Sequence, residues 1–79
     1  MKIELRLFAS LSRYLPDRQR GNLRAMEIPE GTTIKELLQR LAIPADIRKI
    51  IIVNGVHAGE SQTLAEGDRI GVFPPVAGG

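Results

Sequence analysis

The sequence predicts an α+β domain in which one main helix covers one face of a small β-sheet. Two observations lead to this prediction. Residues 34–41 show a helical repeat of apolar side chains, and stretches with strand patterns stand on both sides of them. The 79 residues leave room for one domain with one helix and a small sheet. A single helix can cover only one sheet face, which does not suit a doubly wound α/β fold.

The first strand is predicted at residues 1–8, where apolar and polar side chains alternate. A period of two is typical of a strand with one buried face. The inner face would carry Met1, Ile3, Leu5 and Leu7, and the outer face Lys2, Glu4, Arg6 and Phe8. Phe8 is the one aromatic side chain on the outer face, so it is a candidate for contact with another protein.

A connection and a second strand follow. Three side chains of the connection have helical spacing and are expected to pack as one short turn, namely Leu11, Tyr14 and Leu15. The polar residues 18–22 predict the tip of a long hairpin loop. The second strand is predicted at residues 23–28, with Met26 and Ile28 inward and with Arg24 interrupting the alternation.

The helix signal is strongest at residues 34–41. Its apolar side chains recur at positions i, i+3, i+4 and i+7, namely at Ile34, Leu37, Leu38 and Leu41. Thr33, followed three residues later by Glu36, fits a capping box at the helix start. Pro44 is expected to end the helix near Ala42.

Three more strands are predicted after the helix. The β-branched run at residues 50–53 is typical of an interior strand. Asn54-Gly55 predicts a type I′ turn into a short return strand at residues 56–58. The last strand is predicted at residues 69–73. Ile70 and Val72 are apolar and are expected to face the helix. Phe73 is the residue after Val72, so it is expected to face outward, as Phe8 does.

A tail is predicted at residues 74–79, after a folded domain at residues 1–73. Pro74 and Pro75 lack the N–H that a sheet needs, so the strand ends and an extended arm begins. Six extended residues reach roughly 20 Å, at about 3.1–3.4 Å each. Gly78 and Gly79 add no side chain, so the tail suits a narrow slot in another protein and a carboxylate open to attack.

The chain contains no cysteine, which excludes disulfides, thiolate metal sites and a cysteine nucleophile. Any sulfur that it carries would have to be on the terminal carboxyl group. Residues 72–79, Val-Phe-Pro-Pro-Val-Ala-Gly-Gly, resemble the C-terminus of the MoaD/ThiS sulfur-carrier family. Residues 8–11, Phe-Ala-Ser-Leu, also resemble the small subunit of molybdopterin synthase.

This resemblance implies a ubiquitin-like β-grasp fold, a mixed sheet of four to five strands with the first and last strands parallel at its centre. Phe8 and Phe73 would then lie at the root of the tail, on the hydrophobic surface that meets partner enzymes. The tail residues Pro74, Pro75, Val76 and Ala77 would follow it into the partner. Relatives tend to have an apolar residue of the partner surface at the position of His57, so His57 is either at the edge of that surface or an ordinary exposed strand histidine.

The resemblance also implies a carrier rather than an enzyme, with no cofactor of its own. The sequence has no P-loop, so the ATP site would belong to an E1-like adenylating enzyme of the MoeB/ThiF type. A persulfide from a sulfurtransferase or cysteine desulfurase would then leave Gly79 as a thiocarboxylate. The large subunit of molybdopterin synthase would accept the sulfur.

Other interpretations stay open. A thiazole carrier of thiamine synthesis has the same tail, although the long segment 9–22 and the Phe-Pro-Pro sequence favour the molybdenum or tungsten pathway. A ubiquitin-like modifier would join Gly79 to lysines, and a plain binding module would have an incidental tail. A further alternative is that one phenylalanine of the pair folds under the segment 11–15.

The charge pattern is mildly basic, with a net charge of +2 and a calculated pI near 9.5. The excess lies within residues 1–24, which suits either a solvated face or a face that steers an acidic protein partner. With one Tyr and two Phe, the chain has little material for base stacking, so no nucleic acid partner is expected. No apolar run approaches the length of a membrane span and the first residues look like a strand, so we expect a cytoplasmic protein.

Overall fold

Five strands and one α-helix form the regular structure of residues 1–14 and 23–75, the part of the chain that the computed structural model describes. In chain order they are β1 (Lys2–Leu7), β2 (Leu23–Glu27), α1 (Ile34–Arg40), β3 (Ile50–Val53), β4 (Val56–His57) and β5 (Arg69–Phe73). A 3₁₀ helix, Ala9–Tyr14, follows β1. Each predicted element is present, and its bounds agree with the prediction to within two residues.

The sheet has the order β2-β1-β5-β3-β4. β1 and β5 pair in parallel at its centre, and the other neighbours are antiparallel. In the central pair, Leu5 lies opposite Ile70 and Leu7 opposite Val72. The α+β class and the mixed sheet with its first and last strands in the middle are therefore confirmed.

The core lies between the helix and one face of the sheet. Its fully buried large side chains come from β1, α1 and β5, and they are Leu5, Leu7, Ile34, Leu37, Ile70 and Val72. Burying a side chain of this size contributes about 1.5–3 kcal/mol relative to exposure. The helix is only seven residues long, so its stability depends on this packing rather than on intrinsic propensity.

The helix begins as predicted, with a capping box. The Glu36 backbone N–H donates to the Thr33 hydroxyl at 3.2 Å, and the Thr33 N–H donates to the Glu36 carboxylate at 2.9 Å. Leu41 is the C-cap, and Ala42 has a positive φ of 63°, so the helix ends within two residues of the predicted place.

The connections also follow the sequence pattern. Asn54 and Gly55 have φ values of 52° and 83°, which confirms the type I′ turn between β3 and β4. Leu11 is buried, and Tyr14 packs against the core from the 3₁₀ helix. Leu15 and the predicted loop tip at residues 18–22 lie outside the described residues.

The second strand confirms the predicted faces. Ile28, just after β2, is buried, and Met26 packs against the core. Arg24 lies opposite Leu5, at a position on the core side of the sheet, which explains why it interrupts the alternation in the sequence.

Candidate docking face and tail

The sheet face that points away from α1 is called the open face. It carries the side chains of β1, β3 and β5 that alternate with buried core residues. Phe8 also belongs to it, because this residue continues β1 by donating a 3.1 Å hydrogen bond from its N–H to the Val72 carbonyl. The central members of the open face are Glu4, Arg6, Phe8, Ile50, Ile52, Arg69, Gly71 and Phe73. Among the described residues, no helix packs over this face.

Phe8 and Phe73 stack on the open face at the end where the tail begins. Their ring centroids are 4.1 Å apart and the rings are nearly parallel, at 6°. The parallel register of β1 and β5 brings them together, because Leu7 lies opposite Val72 and each phenylalanine follows directly. The prediction that both rings face outward and lie together is confirmed. The alternative, in which one ring folds under residues 11–15, is wrong.

Gly71 forms the floor beneath the two rings. A β-carbon at this position would lie 3.2 Å from Phe73 Cε1 and 3.6 Å from Phe8 Cε2. The first distance is shorter than an ordinary van der Waals contact, so the rings lean over bare backbone at Gly71. This role could not be predicted from the sequence pattern, because a glycine within a strand pattern has several explanations.

A cleft of about 220 Å³ runs along the open face. Phe8 and Phe73 line its apolar end, Arg6 and Ile52 lie on either side of Gly71 in its middle, and Glu4 and Arg69 line its other end. Arg69 Nε lies 4.0 Å from Glu4 Oε2, and the two side chains are 77% and 47% exposed. A solvated ion pair with this geometry is weak, so it leaves both groups available to a partner.

The isoleucines of β3 are members of this face that the sequence pattern does not reveal. Ile50 lies opposite Phe73 and Ile52 opposite Gly71, and both are half-buried, whereas Ile51 and Val53 are buried in the core. An uninterrupted apolar run has no alternation, so it does not reveal which side chains face outward.

His57 lies on the edge strand β4, opposite Ile52. Directly opposed residues of an antiparallel pair point to the same side, so the exposed imidazole borders the open face. Its role in partner binding stays a prediction.

The root of the tail is described as far as Pro75. Pro74 is half-buried and Pro75 is exposed, next to a polar groove formed by residues 45–49 and Glu60. The remaining predicted tail residues, Val76, Ala77, Gly78 and Gly79, lie outside the described residues, and their roles stay predictions.

Two further features are absent from residues 1–14 and 23–75. No group of three or more His, Cys, Asp or Glu side chains is arranged to hold a metal ion there. No helix in that part of the chain is long and apolar enough to cross a membrane.

One helix over a mixed five-stranded sheet, with the first and last strands paired at its centre, defines the ubiquitin-like β-grasp class of small proteins. The family model of ThiS matches residues 5–79. The chain therefore belongs to the ThiS family, the MoaD/ThiS type of ubiquitin-like sulfur carriers. A comparison with curated protein sequences finds no match.

Solved structures of similar proteins agree with this fold. SAMP1 from Haloferax volcanii superposes with a TM-score of 0.75 at 22% identity, over 100% of both chains. A putative molybdopterin converting factor subunit 1 from Pyrococcus furiosus gives 0.73 at 25% identity, over 95% of this chain and 98% of that one. A complex of subunits 1 and 2 of the molybdopterin-converting factor from Helicobacter pylori gives 0.61 at 22% identity, over 100% of both chains.

Proposed function

We propose that this protein carries sulfur as a thiocarboxylate on Gly79 and donates it in the synthesis of molybdopterin. The observation that supports this most is the position of the Phe8–Phe73 stack. Phe73 is the last residue of β5, and Pro74-Pro75 follow at once. A partner that binds the stack would therefore hold the root of the tail at its own surface.

The chemistry follows from the terminal carboxyl group. A carboxylate is a poor electrophile, and attack on the α-phosphate of ATP converts it to an acyl-adenylate with release of pyrophosphate. A persulfide then attacks the acyl carbon and displaces AMP, which forms an acyl disulfide. A thiol cleaves its S–S bond, leaving the thiocarboxylate on Gly79 and a new disulfide on the donor. The chain has no cysteine, so both sulfur reagents belong to partners.

Three partners follow from this sequence of steps. An E1-like adenylating enzyme of the MoeB/ThiF type would supply the ATP site, and a sulfurtransferase or cysteine desulfurase would supply the persulfide. The large subunit of molybdopterin synthase would accept the sulfur. The similarity to the subunit 1 proteins from Pyrococcus furiosus and Helicobacter pylori supports the last assignment, since the Helicobacter pylori protein is in complex with subunit 2. We place these reactions in the cytoplasm.

Two other uses of the same activated carboxyl group are candidates. The similarity to SAMP1, a small archaeal modifier protein, favours conjugation of Gly79 to lysine side chains. The ThiS family match favours a thiazole carrier of thiamine synthesis. All three functions begin with the same acyl-adenylate and differ in the nucleophile that follows.

The test is the intact mass of the protein after incubation with the adenylating enzyme, ATP and a sulfur donor. We expect one terminal oxygen to be replaced by sulfur. Gly79→Ala should greatly reduce formation of the adenylate, and one residue added after Gly79 should abolish sulfur transfer, because both add atoms where the partner slot is narrow. Circular dichroism should show that neither change alters folding.

Gly59→Ala is the matched control. Gly59 is exposed, has no positive φ, and has no atom within 4 Å of an added β-carbon, so sulfur transfer should be unchanged. Equal transfer to the extended variant would contradict the carrier proposal. Lysines of cell proteins that carry the tryptic remnant of residues 70–79, found by mass spectrometry and lost with Gly79→Ala, would instead support the modifier, because Arg69 is the last site for trypsin before the tail.

A further inference from the structure

The open face carries two arginines that the stack and the tail do not explain. We infer that it docks a partner segment that pairs an apolar side chain with carboxylates, the apolar group over the Phe8–Phe73 stack and the carboxylates against Arg6 and Arg69. This inference rests on the proposed function, because it specifies the chemistry of the partner surface that would bind the open face.

The strand register orders the cleft in three rows. Phe8 and Phe73 form the row nearest the tail. Arg6 lies opposite Gly71 in the second row, and Glu4 lies opposite Arg69 in the third. Successive rows on one face are about 6.5–7 Å apart, since they are separated by two strand residues. The partner would therefore place its apolar side chain toward the tail and its carboxylates farther from it.

The charge of the cleft favours an acidic partner. Its lining contains two guanidinium groups and one carboxylate, a local excess of one positive charge. Glu4 lies beside Arg69 at 4.0 Å, whereas the Arg6 guanidinium makes no hydrogen bond or ion pair with any other described residue. Arg6 is exposed and its planar fork of donors fits a carboxylate in a bidentate geometry.

The neighbours of Arg6 strengthen this preference. Gly71, opposite it, has no side chain, so a partner group can approach the guanidinium over the strand backbone. Ile52, on the other side of Gly71, is half-buried and apolar, which lowers the local dielectric and strengthens a charge pair formed there. A basic segment would meet two guanidinium groups and only one carboxylate in the cleft, so it would bind less well than an acidic segment.

The inference is tested by titrating the adenylating enzyme of the proposed function with four variants, at low and at physiological salt. Arg6→Gln should weaken binding about tenfold and reduce its salt dependence, as for loss of one charge pair of an interface. Arg69→Gln should weaken it about threefold, because Glu4 already offsets part of that charge. Glu4→Gln should tighten binding about threefold, because it removes a carboxylate that competes with the partner.

Arg40→Gln is the matched control. Like Arg6→Gln and Arg69→Gln, it removes one positive charge from an exposed side chain. Arg40 lies on α1, on the other side of the sheet, so its loss should leave binding unchanged. All four altered side chains are exposed, so the variants are expected to fold like the native chain.

Each other outcome overturns the inference in a distinct way. If Arg6→Gln binds like Arg40→Gln while the native chain still gains sulfur, the acidic partner is wrong and the proposed function stands. If Glu4→Gln weakens binding and Arg6→Gln strengthens it, the partner surface is basic. A dimer of the native chain that Arg6→Gln dissociates would assign the face to a second copy. If the native chain neither binds the enzyme nor gains sulfur, both the inference and the proposed function are wrong.

Discussion

The two faces of the central strands are built from neighbouring residues and have opposite surroundings. Leu7 points into the core with 0% exposure, and the next residue, Phe8, lies half-buried on the open face against Phe73. Leu7 belongs to the core cluster that also contains the buried side chains of α1, which explains why it is apolar. Nothing among the described residues covers the open face in the same way, so the fold does not account for its aromatic pair, whereas contact with another protein, as proposed above, would. One face therefore stabilises the domain, and the other is available for recognition.

The comparison is tested most strongly with Leu7→Ala. We expect the free energy of unfolding to fall by about 2–5 kcal/mol, because the change leaves a cavity beside Val72 and the other core side chains. Urea denaturation followed by circular dichroism measures this loss. The fraction of the variant that remains folded should still bind the adenylating enzyme with native affinity. A stability loss below about 1 kcal/mol would place Leu7 outside the effective core.

The adjacent residue should show the opposite pattern. Phe8→Ala or Phe73→Ala should weaken binding to the adenylating enzyme by about 1–3 kcal/mol, as for loss of a partly buried interface aromatic. The domain itself should lose less stability than that, because both rings are half-exposed in the free protein. Calorimetric titration and urea denaturation of the same samples give the two values.

Val56→Ala is the control for the phenylalanine variants. Val56 is 66% exposed and lies opposite Val53, so it is an apolar surface residue on the helix side of the sheet. Its loss should change neither binding nor stability measurably. If Phe8→Ala or Phe73→Ala instead unfolds the domain, that ring belongs to the core and the contrast between the faces fails.

Gly71→Ala should have the smallest effect on stability and binding among these variants of the open face. The added methyl group would lie 3.2 Å from Phe73 Cε1, so the ring must tilt by a few tenths of an ångström. We expect stability to change by less than about 1 kcal/mol, and binding to weaken by less than in either phenylalanine variant. The NMR signals of both aromatic rings should shift, because each ring lies in the field of the other. Unshifted ring signals would show that Gly71 does not set the geometry of the stack.

Much of the fold could be predicted because the sequence obeys simple periods. The alternation in β1 and β5 assigned Phe8 and Phe73 to the outer face, and the repeat in residues 34–41 located α1. Asn54-Gly55 adopts the turn that its conformational preference requires. The pairing of β1 with β5 did not follow from any period, however. It was implied only by the resemblance of the two chain ends to a known family.

The rest of the site depends on register, which the sequence does not display. Ile52 was ambiguous because its strand is apolar throughout. Arg6 and Arg69 are distant in sequence, and only the parallel pairing of their strands brings them to one cleft. Gly71 is distinctive only once both rings are placed above it.

The stacked pair also makes the docking surface depend on a folded domain. Phe8 follows the first strand of the sheet in chain order and Phe73 ends the last, so the stack forms only after β5 has paired with β1. Such contacts between distant segments form late, after the entropy of closing the long intervening loop has been overcome. A domain in which β5 is not yet paired has only half of the stack in place. An enzyme that binds the stack would thus act on folded domains and ignore unfolded ones before any ATP is consumed.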